Sequence, residues 1–228
     1  MNFDHVTTWI FDLDNTLYAP EMRLFDQIEK KMTAFVMREL RVPEAEANRI
    51  RGHYWRTHGT TLSGLMALHD VDPLPYLREV HDIDFSHLTP DPDLAALISD
   101  LPGRKIVHTN ADTEYAGRVL GHRGLAIFDE VHGIETTGFH PKPDPRAYAA
   151  VMEASGFDPA AAAMFEDDPR NLSVPHSLGM RTVLVGTGRH GPDELNPLHD
   201  HGPHVQHRTM DLTGFLRGLA EKRLQGQN

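Results

Sequence analysis

The chain has 228 residues, 39% of them hydrophobic, no cysteine, and a formal net charge of −11. This length and apolar fraction fit one large α/β domain, or a domain carrying a smaller insert, and exclude a disordered tail. The missing cysteines exclude disulfides and thiolate metal sites, and dispersed Lys and Arg in so negative a chain count against a nucleic-acid polymer as partner.

A small anionic substrate would need local positive charge, from a lysine or a cation. The N-terminus has no basic region followed by an apolar stretch, and no run is long enough to cross a bilayer. The expectation is a cytoplasmic protein with no membrane partner.

Residues 7–13 (TTWIFDL) read as a short buried strand, yet Asp12 and Asp14 stand beside Trp9, Ile10, Phe11 and Leu13. A buried ionised carboxylate is costly unless paired or bound to a metal, so both acids need partners elsewhere in the chain. From Met22 to Leu40 apolar residues recur at helical spacing, and Pro43 opens a second helix reaching about His58. "GTTLSGL", "MALHD" and "DPLPYLREVHD" follow, with prolines that break and restart helices. Residues 19–87 show no convincing strand and read as a helical insert.

After Pro90 strands and helices alternate. "DPDLAALISDL" is a predicted helix, "RKIVHTN" a strand, and "TEYAGRVLGHRG" a helix ending in glycine. "FDEVHGI" is a short strand, "DPRAYAAVMEASG" a helix, and "AAMFEDD" a strand ending in acids. "PRNLSVPHSLG" is a helix and "RTVLVG" a strand; residues 189–209 read as loop, and "MDLTGFLRGLAEKRL" closes the chain as a helix. Such alternation predicts a parallel sheet with helices on its faces. Ligands bind beyond the carboxyl ends of the strands in such sheets. The residues there are Asp12 and Asp14, then Thr109 and Asn110, then Glu166, Asp167 and Asp168, all suited to a metal, a phosphate or both.

Together these residues resemble the haloacid dehalogenase-like superfamily in its phosphatase branch. "DLDNT" (Asp12–Thr16) matches its D-x-D-x-T motif, "HTN" its strand-end Thr/Ser, "PKPDP" its lysine (Lys142), and "EDD" (Glu166–Asp168) its acidic motif. The resemblance implies a Rossmann-like core over 1–18 and 88–228, with residues 19–87 as a small all-helical type I cap domain. It implies Asp12 as nucleophile, Asp14 as general acid and base, and Lys142 as the group that offsets charge. Thr109 and Asn110 would hold phosphate. Mg²⁺ would bind Asp12, the Asp14 carbonyl and Asp167, with Glu166 and Asp168 as further candidates.

Each residue also has a plainer reading. Asp12 and Asp14 serve as strand-end caps, Thr109 and Asn110 as a turn, and Lys142 as an exposed loop lysine. Glu166 or Asp168 either stands behind the metal ligands or caps the helix near Pro169, and Asn171 either orients the acids or lies on a helix surface. Four motifs in register favour the catalytic reading.

"FDLDNTLY", "GTTLSGL", "TNA", "KPDPRAY" and "FEDDPRNL…SLGMRTVLV" look closest to the pyrimidine 5′-nucleotidase group, over about residues 8–186. That group removes the phosphate of UMP- and CMP-type nucleotides. Ser63 departs from the arginine common at its position, and "HYWRTHG" is also altered. These departures keep open another phosphate ester, such as a sugar phosphate or phosphoglycolate; a phosphomutase or a silent phosphate-binding protein is a further alternative. Tyr54, Arg56, His58, Thr60 and Ser63 are the specificity candidates, Tyr54 and Trp55 either stacking on a base or facing the insert's own core. The implied partner is a small phosphate ester, a nucleoside monophosphate first; monomer and dimer both stay open. The tract "HDHGPHVQH" (His199–His207) reads as a solvated loop rather than a metal site.

Overall fold

The computed structural model describes residues 3–188 and 202–226. Six strands form one sheet: β1 (Thr8–Phe11), β2 (Arg104–His108), β3 (Glu130–His132), β4 (Ala162–Glu166), β5 (Arg181–Val185) and β6 (His207–Thr209). Their order is β3-β2-β1-β4-β5-β6, and every pairing is parallel. All carboxyl ends therefore face one side. The predicted Rossmann-like α/β class is observed.

Alternation along the central strands divides the core. Trp9, Phe11, Val107, Ala163, Phe165 and Val183 enter one apolar cluster, while Ile10, Ile106, Met164 and Leu184 enter the other. That is the two-residue period of a strand buried on both faces. Phe11 stacks on Phe165 at 4.7 Å across the β1–β4 pair, and Trp9 donates its indole N–H to the Pro102 carbonyl at 2.8 Å.

The helices are α1 (Leu24–Leu40), α2 (Glu44–His58), α3 (Thr61–His69), α4 (Pro73–Val80), α5 (Pro92–Ser99), α6 (Thr113–Arg123), α7 (Pro145–Ser155), α8 (Ser173–Ser177) and α9 (Leu212–Gly226). Helices α6 and α7 end on Gly124 and Gly156 at φ +67° and +63°, the left-handed exit that glycine adopts without strain. Between β1 and β2 the chain from Leu24 to Val80 holds only helices α1–α4, packed on one another. Gly64 is essential to that packing, because a Cβ there would lie 2.2 Å from Cγ of Tyr54. Arg123 is buried and pins both crossings of this segment: it bonds the Leu17 carbonyl at 3.2 Å, the Thr89 carbonyl, and the Asp91 carboxylate at 2.8 Å.

Two predicted elements differ. Residues 207–209, read as loop, form edge strand β6, because pairing with β5 supplies the ladder that three residues with no clear alternation do not announce. The helix expected over 169–179 is a 3₁₀ turn at Pro169–Leu172 followed by the short α8, since Pro175 interrupts it. Residues 199–201 of the histidine tract lie outside the described residues, while 202–206 carry no helix or strand and His207 opens β6. Among the described residues no helix is long and apolar enough to cross a membrane.

Candidate active site

The sheet brings three strand ends together. Central β1 lies between β2 and β4, so the residues that follow each strand, Asp12, Thr109 and Asp167, share one edge. Asp12 continues the ladder through its N–H to the Phe165 carbonyl, at 2.9 Å, before the chain turns at Asn15 with φ +59°. Asparagine tolerates that left-handed conformation better than most residues.

Lys142 comes from the loop before α7 and is only 1% exposed. Its Nζ donates to Asp12 Oδ1 at 2.7 Å, Glu166 Oε2 at 2.6 Å and the His108 carbonyl at 2.8 Å. All three ammonium protons are thus used, which makes the buried cation tolerable. Asn110 holds this loop in place: its Oδ1 accepts the Lys142 N–H at 2.8 Å and its Nδ2 donates to the Lys142 carbonyl at 3.2 Å. The Asn110 side chain is therefore a brace for the lysine, which leaves its backbone N–H as the group that faces no acceptor among the described residues. Thr109 is buried, and its hydroxyl accepts the Ala111 N–H at 3.0 Å.

Oxygens of Asp12, Glu166 and Asp167 lie within 4.8 Å of one another. Burial and the Glu166 charge push the Asp12 carboxyl up to about 8, with Lys142 pulling the other way. Burial, Asp12 and Glu166 push Asp167 well above the carboxylate range. Lys142 pairs with Asp12 and Glu166, and three clustered carboxylates offer the hard oxygen donors that Mg²⁺ takes. The residues fit that ion. Glu166 also accepts the N–H groups of Asp167 and Asp168 on Oε1, so it shapes the loop and pairs with the lysine. Asp168 turns away. It caps the following turn and forks onto Arg170, with Nη2 at 2.6 Å.

Asp14 accepts hydroxyl hydrogen bonds from Tyr18 and Tyr115, each at 2.7 Å. Burial raises its pKa, and the two phenols oppose that rise.

The helical segment reaches this edge through the loop after α2. A Cβ on Gly59 would stand 3.1 Å from Pro141 Cγ and 3.4 Å from the Lys142 carbonyl oxygen. Thr60 caps α3, its hydroxyl accepting the Ser63 N–H at 3.1 Å and lying 2.9 Å from Ser63 Oγ. Arg56 is exposed, and His58 is half-buried with its ring edge-on to Tyr54. Tyr54 is buried between α2 and α3, its hydroxyl 2.6 Å from His69 Nε2, so it builds the insert's own core. Trp55 does something else: the Arg170 guanidinium covers its ring at 3.5 Å.

A family model described as haloacid dehalogenase-like hydrolase matches residues 6–179. The chain belongs to that family. This hydrolase is 27% identical over 194 residues to Phosphate metabolism protein 8 of Saccharomyces cerevisiae, a match covering 77% of this chain and 60% of that protein. It thus spans less than two thirds of that relative. Its fold resembles an L-2-haloacid dehalogenase (TM-score 0.59, 19% identity, 94% of this chain and 99% of that one). A HAD phosphatase from Thermococcus onnurineus gives 0.58 at 18%, covering 94% and 98%. The magnesium-bound HAD-hydrolase YfnB of Bacillus subtilis gives 0.57 at 17%, also over 94% and 98%.

The hydrolase's motif residues could be read from sequence, whereas Tyr115 and Arg170 could not. Tyr18 had one signal, a buried tyrosine four residues after Asp14. His108 packs beside the site, its Nε2 without a hydrogen-bond partner among the described residues, edge-on to Tyr148 at 5.3 Å. Burial, then the charges of Lys142 and His132, hold it well below its ordinary 6.5, so it is neutral when folded. The unfolded chain gains a proton below pH 6.5 that the folded state refuses. The contribution of His108 to stability is therefore complete above pH 6.5 and falls below it, by up to about 1.4 kcal/mol per pH unit until the folded pKa is reached. From pH 7.5 to 5.5 the urea midpoint of the wild type should fall relative to that of His108→Gln; equal slopes in the two proteins would refute the assignment.

Proposed function

We propose that this hydrolase is a Mg²⁺-dependent phosphomonoesterase acting through an aspartyl phosphate on Asp12, with a pyrimidine nucleoside 5′-monophosphate as substrate. The observation that carries the reading is the cluster of Asp12, Glu166 and Asp167 at one sheet edge, with Lys142 paired to Asp12 and Glu166. Such a donor set suits a divalent cation, which would let the site receive a dianion.

Asp12 attacks phosphorus through a carboxylate oxygen, the ester P–O bond breaks, and the leaving oxygen takes a proton from Asp14. Asp14 then removes a proton from water, which attacks the aspartyl phosphate and releases inorganic phosphate with Asp12 restored. Thr109 and the Asn110 N–H are the phosphate-holding groups, and Lys142 neutralises Asp12 and the transferred phosphoryl group. Mg²⁺, held by Asp12, Asp167 and the Asp14 carbonyl, would supply charge neutralisation and orientation of the phosphoryl oxygens. Residues 19–87 act as the cap, with the turn at Gly59 against the Lys142 loop, and exclude water from the first step.

The nucleotide assignment rests on the cap and motif likeness. Arg56 and His58 are the candidates for reading the base edge. A different phosphate ester is favoured by one observation: at the position where the likeness has arginine, the Ser63 hydroxyl is engaged with the Thr60 hydroxyl.

The test is phosphate release, with and without Mg²⁺, from UMP, CMP and dUMP beside AMP, ribose 5-phosphate and phosphoglycolate. The expected result is a kcat/KM at least about ten-fold higher for the pyrimidines, lost on chelation. Activity confined to the other esters would keep the chemistry and remove the nucleotide assignment.

A further inference from the structure

Asp14 is gripped by more than its own strand end. Tyr18 and Tyr115 both donate to the same oxygen, Oδ1. Their side chains are 2% and 1% exposed, so water does not compete for these bonds. Oδ2 accepts no hydrogen bond from any described residue.

Tyr115 is itself fixed from two directions. It stands in the first turn of α6, where its N–H bonds Oδ1 of the capping residue Asp112 at 2.7 Å. Its ring stacks on His81 at 4.2 Å and 20°. His81 follows α4 in the helical insert, and its Nδ1 lies 2.5 Å from Asp112 Oδ2. Insert and sheet are therefore joined around the ring that touches Asp14.

A proton on Oδ1 would have to displace one of two buried phenol donors, whereas a proton on Oδ2 displaces nothing. We infer that Tyr18 and Tyr115 are positioning residues that lock the Asp14 carboxyl so that Oδ2 alone presents the proton to the leaving oxygen, with His81 holding Tyr115 from the insert. This rests on the acid role proposed for Asp14. As the Asp12 oxygen bonds phosphorus, the ester P–O bond breaks and its electron pair takes the proton from Oδ2. Oδ1 stays between the two phenols before and after the transfer.

The value of a positioned acid rises as the leaving group becomes more basic. A sugar alkoxide needs the proton, whereas a nitrophenolate leaves readily without it. The experiment therefore compares kcat/KM for the fastest alkyl phosphate of the panel (UMP, ribose 5-phosphate or phosphoglycolate) with that for p-nitrophenyl phosphate. Because kcat/KM covers steps only through the first irreversible transfer, the shared hydrolysis of the aspartyl phosphate drops out.

In Tyr18→Phe and Tyr115→Phe the alkyl-to-aryl ratio should fall about five-fold each, and in the double variant about thirty-fold, approaching the ratio of Asp14→Asn. His81→Gln should lower it about three-fold through Tyr115. Phenylalanine keeps each ring and its packing; if the double variant does not fold, the two single variants carry the test. An unchanged ratio, or an equal loss on both substrates, overturns the clamp in an active enzyme. A wild-type protein that hydrolyses no phosphate ester at all overturns the phosphatase reading and the clamp with it, a result plainly different from the first.

Discussion

Asp12→Asn should abolish turnover while leaving a folded protein. The amide keeps the shape of the carboxylate, and its oxygen can still accept from Lys142, which now lies 2.7 Å from Asp12 Oδ1. What it lacks is the lone-pair nucleophilicity of an anion, so no aspartyl phosphate forms. The expected loss in kcat is on the order of 10⁴-fold or more, the scale seen when a covalent nucleophile is removed. Phosphate release measures that loss. Intact-mass measurement of acid-quenched enzyme should find one added phosphoryl group on the wild type and none on the variant. A variant that keeps activity within about ten-fold of wild type would remove Asp12 from the nucleophile's role.

Replacing the lysine should damage fold and activity together. Lys142→Met removes the cation shared by Asp12 and Glu166, whose side chains are 8% and 1% exposed. Breaking a buried ion pair on one side leaves an uncompensated charge and costs about 3–5 kcal/mol. For a chain of this size that is a fall in Tm of roughly 6–20 °C without added metal. A saturating divalent cation should return part of it, because an ion that binds only the folded state stabilises that state. The companion variant decides the cause. Adding Glu166→Gln to Lys142→Met should restore stability relative to Lys142→Met alone, since one of the stranded carboxylates is gone. If the double variant is no more stable than Lys142→Met, the charge explanation fails and the loss comes from packing. Phosphatase activity should be lost in both variants, because the phosphoryl group meets a site that still carries Asp12 and Asp167 without the lysine.

The two experiments read different properties of one arrangement. In the proposed mechanism Asp12 is needed for the reaction, while the fold is expected to do without its charge. Lys142 is expected to serve both, because its Nζ spends each proton on a group of the sheet edge: Asp12, Glu166 and the His108 carbonyl.

Much of this arrangement is legible in the chain itself. The alternation of apolar strands with amphipathic helices after Pro90 announces a parallel sheet, because strand and helix periods are local properties of the sequence. Asp12, Thr109 and Asp167 could be chosen for the same reason: each follows an apolar run, and strand ends in such a sheet are where ligands bind. The helical character of the segment from Leu24 to Val80 was likewise visible, since no stretch in it alternates as a strand does.

Other features required the closed fold. Tyr115 meets Asp14 across 101 residues and Lys142 meets Asp12 across 130, and no local pattern encodes which distant side chains converge. Trp55 was expected either at a base or in the insert's core, and only packing against the sheet edge put Arg170 over its ring. Tyr54, the other candidate, faces inward because Gly64 leaves room for it. Strand β6 exists through its pairing with β5, which three residues could not advertise. The sequence by itself determined which chemical groups the protein owns and at which strand ends they stand. Tertiary structure alone decided how they are shared, because hydrogen-bond geometry and desolvation are set by neighbours far away in the chain.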